Sequence, residues 1–297
     1  MSFLTQPADP LASQPRATRP AYATGMLLDA RDFSDEQTYH RGRLARALAF
    51  LGGGGTLAGL ELEYLAASGG QPEGIQVNPG LAVDRLGRLV EIPRPACIRL
   101  GNWYDALMAG DGGDTLIQAA YVDLDRFVSR RMKDNATALP ARALAADVFV
   151  RFATCPEGLA PSFAAGPFDA LNAVSTSRIR DAYELRLIAR VGLDDAYDGL
   201  PLPPGAAPIG DLGADAAARR DAMQNAILRG YAGGAGSLAP LPEQPAGSDP
   251  SAVFLGRVFL PLDAATPPAR AADAVVVDNW GRRFLPPLVL LAQWHGL

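Results

Sequence analysis

Cysteine and histidine are nearly missing from these 297 residues, with two of each. Cys97 and Cys155 form neither a CxxC pair nor a disulfide framework, so the pattern suits a reducing compartment, and two buried thiols are expected. His40 and His295 lie far apart, and there is no HExxH or Cys/His cluster, so no ligand set at metal spacing is present. Basic residues do not outnumber acidic ones. The 27 against 32 give a net charge of -5, and a nucleic-acid surface needs a basic stripe that this balance does not supply. No stretch approaches the roughly 18 apolar residues of a membrane helix. The start MSFLTQPADPLASQPRATRP has no basic segment followed by an apolar one, so we expect no signal peptide.

Catalytic motifs are equally scarce. Gly52–Gly55 is followed by Thr56-Leu57-Ala58, without the lysine that meets phosphate in GxxxxGK[ST]. Ser68 and Ser237 sit in polar turns outside any GxSxG frame. Asp194, Asp195 and Asp198 lack the spacing and terminal glutamate of an EF-hand. Glu61/Glu63 and Asp123/Asp125 stand at i,i+2, which on a strand shares one face and leaves two readings, acid–base chemistry or a solvated outer face. We therefore expect no cofactor and no enzyme, with a carboxylate-dependent hydrolase as a distant alternative.

What the chain does have is turns. Its 31 glycines and 25 prolines make 56 of 297, about 19 % against an average near 12 %, while 48 % hydrophobic and 20 % charged residues describe a folded protein. Residues 1–20 hold four prolines and read as an extended flexible arm. Ser34, with Asp35, Glu36 and Gln37 behind it, predicts the N-cap of a helix that Gly52–Gly55 ends. Residues 75–92 are the clearest β segment, with a tight turn at Pro79-Gly80 and a connection over 84–88, Gly80 and Gly87 both placed for positive φ. Further strands are expected over 115–125, 148–154, 183–191, 253–262 and 274–277, and a second helix near 214–229, then a patternless loop over 230–250. From Phe284 the end is apolar through Leu285, Leu288 and Trp294, and either folds into the chain's own core or meets a partner.

One ordered set of motifs carries a resemblance. Gly25-Met26-Leu27-Leu28, Asp32-Phe33, Glu36-Gln37, Tyr39, Gly59-Leu60, Pro79-Gly80, Ala82, Asp84 and Gly87-Arg88 follow one another as in the opening module of accessory baseplate and tail-fibre-anchoring proteins of phage tails and contractile injection systems. The same start is fainter in the TssK baseplate subunits of type VI secretion systems. The likeness covers about 70 residues. It departs at Thr56-Leu57-Ala58, where the family usually reads G-V-V, and nothing beyond residue 100 contributes.

The fold expected is α+β, mainly β. A helix-plus-β docking module at 21–110 precedes a larger β-rich region at 111–297 with one inserted helix. The resemblance implies a structural component of a phage-tail-like particle, a baseplate or fibre-attachment protein made in the cytoplasm and incorporated into a phage or phage-tail-like particle. Its partners would be other tail or baseplate proteins, with a homo-oligomer or several copies in a symmetric assembly, and no nucleic acid or membrane. Met26, Leu27, Leu28 and Trp294 are the interface candidates. Met26, Leu27, Leu28 and Phe33 either staple the helix start or plug into a neighbour's groove. The alternative is a carbohydrate- or receptor-binding module in which Trp103, Tyr104 or Trp280 stacks on a ligand, although these rings could equally cap the core.

Overall fold

The computed structural model describes residues 9–294 apart from 14, 135–138, 162–173, 195–197, 202–215, 232–237, 240, 264–267 and 272. Strand takes 34 % and helix 30 %, so the chain is α+β with β in slight excess.

Helix α1 (Ala30–Gly52) begins four residues before the expected cap. Asp29, not Ser34, closes its start: Asp29 Oδ1 accepts from the N–H of Arg31 (2.7 Å) and of Asp32 (3.2 Å), and Asp32 Oδ2 accepts from the Asp29 N–H (2.9 Å). This reciprocal box satisfies donors from both sides and sets two carboxylates at the positive end of the helix dipole, which a serine cannot do. Ser34 lies inside the helix, its hydroxyl donating to the Ala30 carbonyl (2.9 Å). The helix stops at the glycines, where the Gly53 N–H reaches the Ala49 carbonyl (3.0 Å).

Six short strands follow: β1 (Gly55–Gly59), β2 (Leu62–Leu65), β3 (Gly74–Val77), β4 (Gly80–Val83), β5 (Leu89–Ile92) and β6 (Ala96–Arg99). They form two antiparallel sheets, β1-β4-β5 and β2-β3-β6, and the chain steps between them at residues 60–61, 78–79 and 93–95. Pro79-Gly80 is therefore a crossing between sheets and not a tight hairpin turn. Residues 84–88 do join β4 to β5, with Val83 opposite Leu89.

Helices α2 (Leu100–Ala109) and α3 (Gly113–Ala120), strand β7 (Tyr121–Asp123), and helices α4 (Leu124–Phe127) and α5 (Arg130–Asp134) come next. Most of the strand expected over 115–125 is thus helix. Its apolar run was too short for periodicity to decide, and Ile117 with Ala120 buries one helical face at i,i+3. The remaining elements are β8 (Arg142–Pro161), β9 (Val174–Ala189), α6 (Ala216–Arg229), β10 (Val253–Leu260), β11 (Val276–Asp278) and α7 (Leu288–Trp294). Strands β11-β10-β8-β7 form the central sheet, and β9 also pairs β8.

The central sheet is covered on both faces, which is why every residue of β10 is buried. One face joins Leu60, Ile75, Ile92, Leu144, Val148, Leu255 and Val258 in a single core, so the regions 21–110 and 111–297 share their interior. The other face holds Val122, Phe127, Ala145 and Phe259. Past Phe152 and Tyr183, β8 and β9 run on in register to Pro161 and Val174 as a two-stranded ribbon whose residues are mostly exposed.

Two loop expectations and one about the cysteines change. Of the 1–20 arm, residues 1–8 and 14 lie outside the described residues, but 10–13 is a 3-10 turn with Leu11 buried, and Asp9 reaches Arg88 (3.0 Å) and Arg41 (3.5 Å). Within 230–250, Glu243 and Gln244 are buried rather than part of a free linker, held by Arg283 on Glu243 (3.0 Å) and by Gln244 donating to the Pro250 carbonyl (2.7 Å). Cys97 is exposed and Cys155 half-buried, so neither thiol is buried.

Candidate functional site

Hydrogen bonds on one side hold the segment in front of α1. Tyr22 Oη donates to Glu36 Oε2 (2.6 Å), the Met26 N–H donates to the Ala23 carbonyl (3.1 Å), and the Asp29/Asp32 box fixes the first turn. The bond to Glu36 also pushes the Tyr22 phenol up to about 12, because the charged carboxylate favours the protonated donor. These polar latches leave the apolar side chains on the outside. Leu27 is 95 % exposed, and Met26, Leu28 and Phe33 are each exposed by more than two fifths. Leu28 now occupies the position before the cap and Phe33 the fourth helical position, the two places of a staple, while Leu27 has no such role.

Trp294, the other interface candidate, is the last residue of α7. That helix leaves the β1 edge, where the Leu285 N–H donates to the Thr56 carbonyl (2.8 Å) and Leu285 lies against Gly52, so it stands by the C-terminal end of α1. Leu288, Val289 and Leu290 are exposed, so this stretch of the apolar terminus does not fold into the core. At 1.5 Å per residue, α1 is roughly 34 Å long, so the stretch that leads into α7, at Leu285 beside Gly52, lies at the far end of α1 from residues 26–28. They do not form one site.

Gly87 has φ 84 in the turn between β4 and β5, and a Cβ there would stand 1.7 Å from the Ala45 carbonyl oxygen of α1. Gly80 does not have positive φ, contrary to expectation. It is required for another reason: a Cβ would stand 2.3 Å from the Ala58 oxygen, where β1 and β4 approach.

The aromatic residues suggested for ligand stacking are already engaged. Trp103 Nε1 donates to the Leu187 carbonyl (2.7 Å), Tyr104 Oη to that of Pro268 (2.6 Å), and the Arg131 guanidinium lies 3.5 Å from the Trp280 ring centre. The carboxylate pairs are not built as strand pairs either. Glu61 precedes β2 and Asp125 belongs to α4, so neither pair shares a sheet face. Among the described residues no group of three His, Cys, Asp or Glu could hold a metal ion. Asp195 and His295 lie outside the described residues.

The tetraglycine loop packs beside Arg85 and Arg283 around a cavity of about 20 Å³, room for one water. The anion facing those arginines is the chain's own: buried Glu243, 3.0 Å from Arg283 Nε. A larger open cleft of about 520 Å³ lies at the root of the ribbon, lined by Leu89, Glu91 and Pro93 on one side and Arg180, Asp181, Ala182 and Tyr183 on the other. Its size is within the ~300–1,000 Å³ range of ligand sites.

Sequence reading missed the buried ionic face of the central sheet. Asp147 on β8 and Asp278 on β11 flank Arg257 on β10 in register, and Arg190 adds a second cation 3.1 Å from Asp147. Burial pushes the Asp147 carboxyl up, with Arg257 and Arg190 pulling the other way. Asp278 accepts from the Ser129 hydroxyl (2.8 Å) and the Trp280 N–H (2.9 Å). A similar knot joins Asp84 to Arg88 (2.6 Å) and Arg88 to Ser251 (2.9 Å). Both are enclosed, with Asp147, Arg257 and Asp84 fully buried, so their geometry serves the fold. The available signal was a lone charge inside an apolar run, as in ALAADVFV and VFLGRVFL.

No family model matches the chain, and no curated protein matches it. No helix among the described residues is long and apolar enough to cross a membrane.

Proposed function

We propose that this chain is a structural component of a phage-tail-like particle, a baseplate or fibre-attachment protein that docks onto neighbouring tail subunits. The observation that carries this reading is the apolar segment Met26-Leu27-Leu28, latched in place by Tyr22 and Asp29 yet turned to solvent, at the start of the ordered motifs that resemble the tail-anchoring family. An apolar ridge already anchored by hydrogen bonds within the chain would bind at lower entropic cost than an unanchored one. Function on this reading is mechanical, through fixed shape and stoichiometry.

The test is location. An affinity-tagged chain expressed in its own host should co-sediment with intact particles carrying sheath and tube proteins, and should survive a salt wash with them. Recovery of all the tagged chain in the unassembled fraction would overturn the reading. Sheath, tube and spike genes beside its own gene would support it independently.

A second reading, a carbohydrate- or receptor-binding module of the same kind of particle, draws on the cleft at the ribbon root. Tyr183 and Pro93 supply apolar walls there, and Glu91, Arg180 and Asp181 supply groups that a polyhydroxylated ligand hydrogen-bonds. Binding on a glycan array that Asp181→Asn abolishes would favour it over pure docking.

A further inference from the structure

The stretch ahead of α1 doubles back along that helix. The reversal is the turn at 23–26, closed by the Met26 N–H on the Ala23 carbonyl (3.1 Å), with Gly25 at φ 84. From there, going back along the chain, Tyr22 bonds Glu36 (2.6 Å), the Arg19 guanidinium lies 5.8 Å from the Tyr39 ring centre, and Leu11 reaches Gly42. The arm thus meets α1 in reverse order.

Its far end is anchored, and the part between is not. Asp9 places one carboxylate oxygen 3.0 Å from Arg88 Nη1 and the other 3.5 Å from Arg41 Nη2, and the Asp9 and Arg88 side chains are 11 % and 8 % exposed. Leu11 is buried, and a Cβ on Gly42 would stand 3.3 Å from its Cδ2. Gly42 has no positive φ, so its backbone does not require glycine, and glycine inside a helix is unfavourable. The missing side chain makes the seat for Leu11. Between this anchor and the turn, residues 15–19 and 21–25 are exposed, and Pro15 and Pro20 keep them from forming a helix of their own.

The seat therefore specifies its occupant: a carboxylate two residues before a leucine, on a segment that runs antiparallel to α1. We propose that it also receives the arm of a second copy, two chains exchanging residues 9–22 about a twofold axis. Opening the turn at 23–26 makes the reversal a straight continuation, which carries the arm off its own α1 and onto that of the neighbour. Asp9 then meets the neighbour's Arg88 and Leu11 the neighbour's Gly42, so every contact is remade with the same residue types and the two forms differ chiefly at the turn. A tethered arm finds its own seat at an effective concentration on the order of mM, so exchange grows where copies are crowded or the turn is strained. Neither Leu27 nor a tail particle is needed, and exchange and docking stand or fall separately.

Gly25 gives the test, because its Cβ position faces open space and only its φ resists substitution. Gly25→Val strains the closed turn and leaves the arm's contacts intact, and should raise the dimer fraction roughly 10-fold or more. Sedimentation velocity of the full chain at about 100 μM measures this. Adding Asp9→Lys, which sets a cation against Arg88 and Arg41, should return the Gly25→Val chain to monomer with its far-UV circular dichroism unchanged. The crossing itself is read from a mixture of Leu11→Cys chains with Gly42→Cys chains, all carrying Cys97→Ser and Cys155→Ser. A disulfide between the two kinds of chain forms only if the arm crosses, and Gly25→Val in both should increase it. A Gly25→Val chain that stays monomeric would overturn the proposal whatever the thiols do. So would a dimer that keeps its mass with Asp9→Lys, since the contact would then lie elsewhere.

Discussion

Arg257 on β10 and Asp147 on β8 face each other in register, with Nε 2.7 Å from Oδ1 and Nη2 3.1 Å from Oδ2, and neither touches solvent. The remaining guanidinium hydrogens go to the carbonyls of Phe127 (3.1 Å), Asp198 (2.7 Å) and Gly199 (3.2 Å), so all five donors are used. The pair thus ties the sheet to the 124–134 and 198–201 segments that cover it.

Removing one partner strands the other. Arg257→Met should destabilise the fold by about 3–5 kcal/mol, since Asp147 would retain only Arg190 inside an apolar layer. The double variant Asp147→Leu/Arg257→Met should lose less than the sum of the two singles, because Asp147 is no longer stranded and Arg190 keeps its bonds to the Glu243 and Pro242 carbonyls. Urea midpoints measure both, and a single variant within about 1 kcal/mol of wild type would show that the knot is solvated.

Acid should weaken the ribbon root. Burial works to raise the carboxyls of Glu184 and Asp249, but hydrogen bonds from Arg186 and Arg151 to Glu184, and from Ser251 and Arg151 to Asp249, hold both below their ordinary values. A lowered folded pKa means stability that is complete above the ordinary values of 4.5 and 3.8 and is lost as pH falls through the folded ones. Asp84 and Asp147, whose carboxyls burial raises, have the opposite slope, so the comparison must be with a variant. Glu184→Gln/Asp249→Asn should melt lower at pH 7 and lose less on acidification to about pH 3, and parallel curves would contradict this.

Gly87→Val should cost more than Gly80→Val. At Gly87 a side chain meets both a left-handed backbone, about 1–3 kcal/mol, and the Ala45 carbonyl, whereas at Gly80 it meets only the β1 backbone. Melting midpoints rank the two, and the reverse order would mean that the β4/β5 turn does not rest on α1.

How far the sequence carried depends on how local each signal was. Helix α1 was legible from its apolar spacing, but its start was not, because Ser34 with Gln37 fits a capping pattern while Asp29 with Asp32 satisfies the same donors with charge. The β4/β5 connection was legible in Asp84–Arg88. The step between sheets at Pro79 was not, since alternation sets a strand's faces without naming its neighbours. At the candidate site, the run Met26-Leu27-Leu28 was visible as apolar. Its exposure was not, because that follows from Tyr22 and Asp29 binding behind it, and the Tyr22–Glu36 bond spans 14 residues.

The last prediction separates docking from folding by comparing two leucines of the same end. Leu11 is 6 % exposed and lies over Gly42 of α1, whereas Leu27 is almost wholly in solvent. Leu11→Asp puts a charge where apolar contacts close the underside of α1, near the Asp9–Arg88 bond, and should lower the melting midpoint by several degrees, equivalent to about 2 kcal/mol or more. Leu27→Asp exchanges one solvent-facing side chain for another outside the capping box, and should leave the midpoint within the ~0.5 kcal/mol expected of a surface change. Met26→Asp should lie between them. If Leu27 is a docking residue, its variant folds normally and is missing from purified particles. A Leu27→Asp protein that melts as early as Leu11→Asp would place Leu27 in the fold, and one that folds normally and still enters particles at wild-type copy number would remove the segment from the interface.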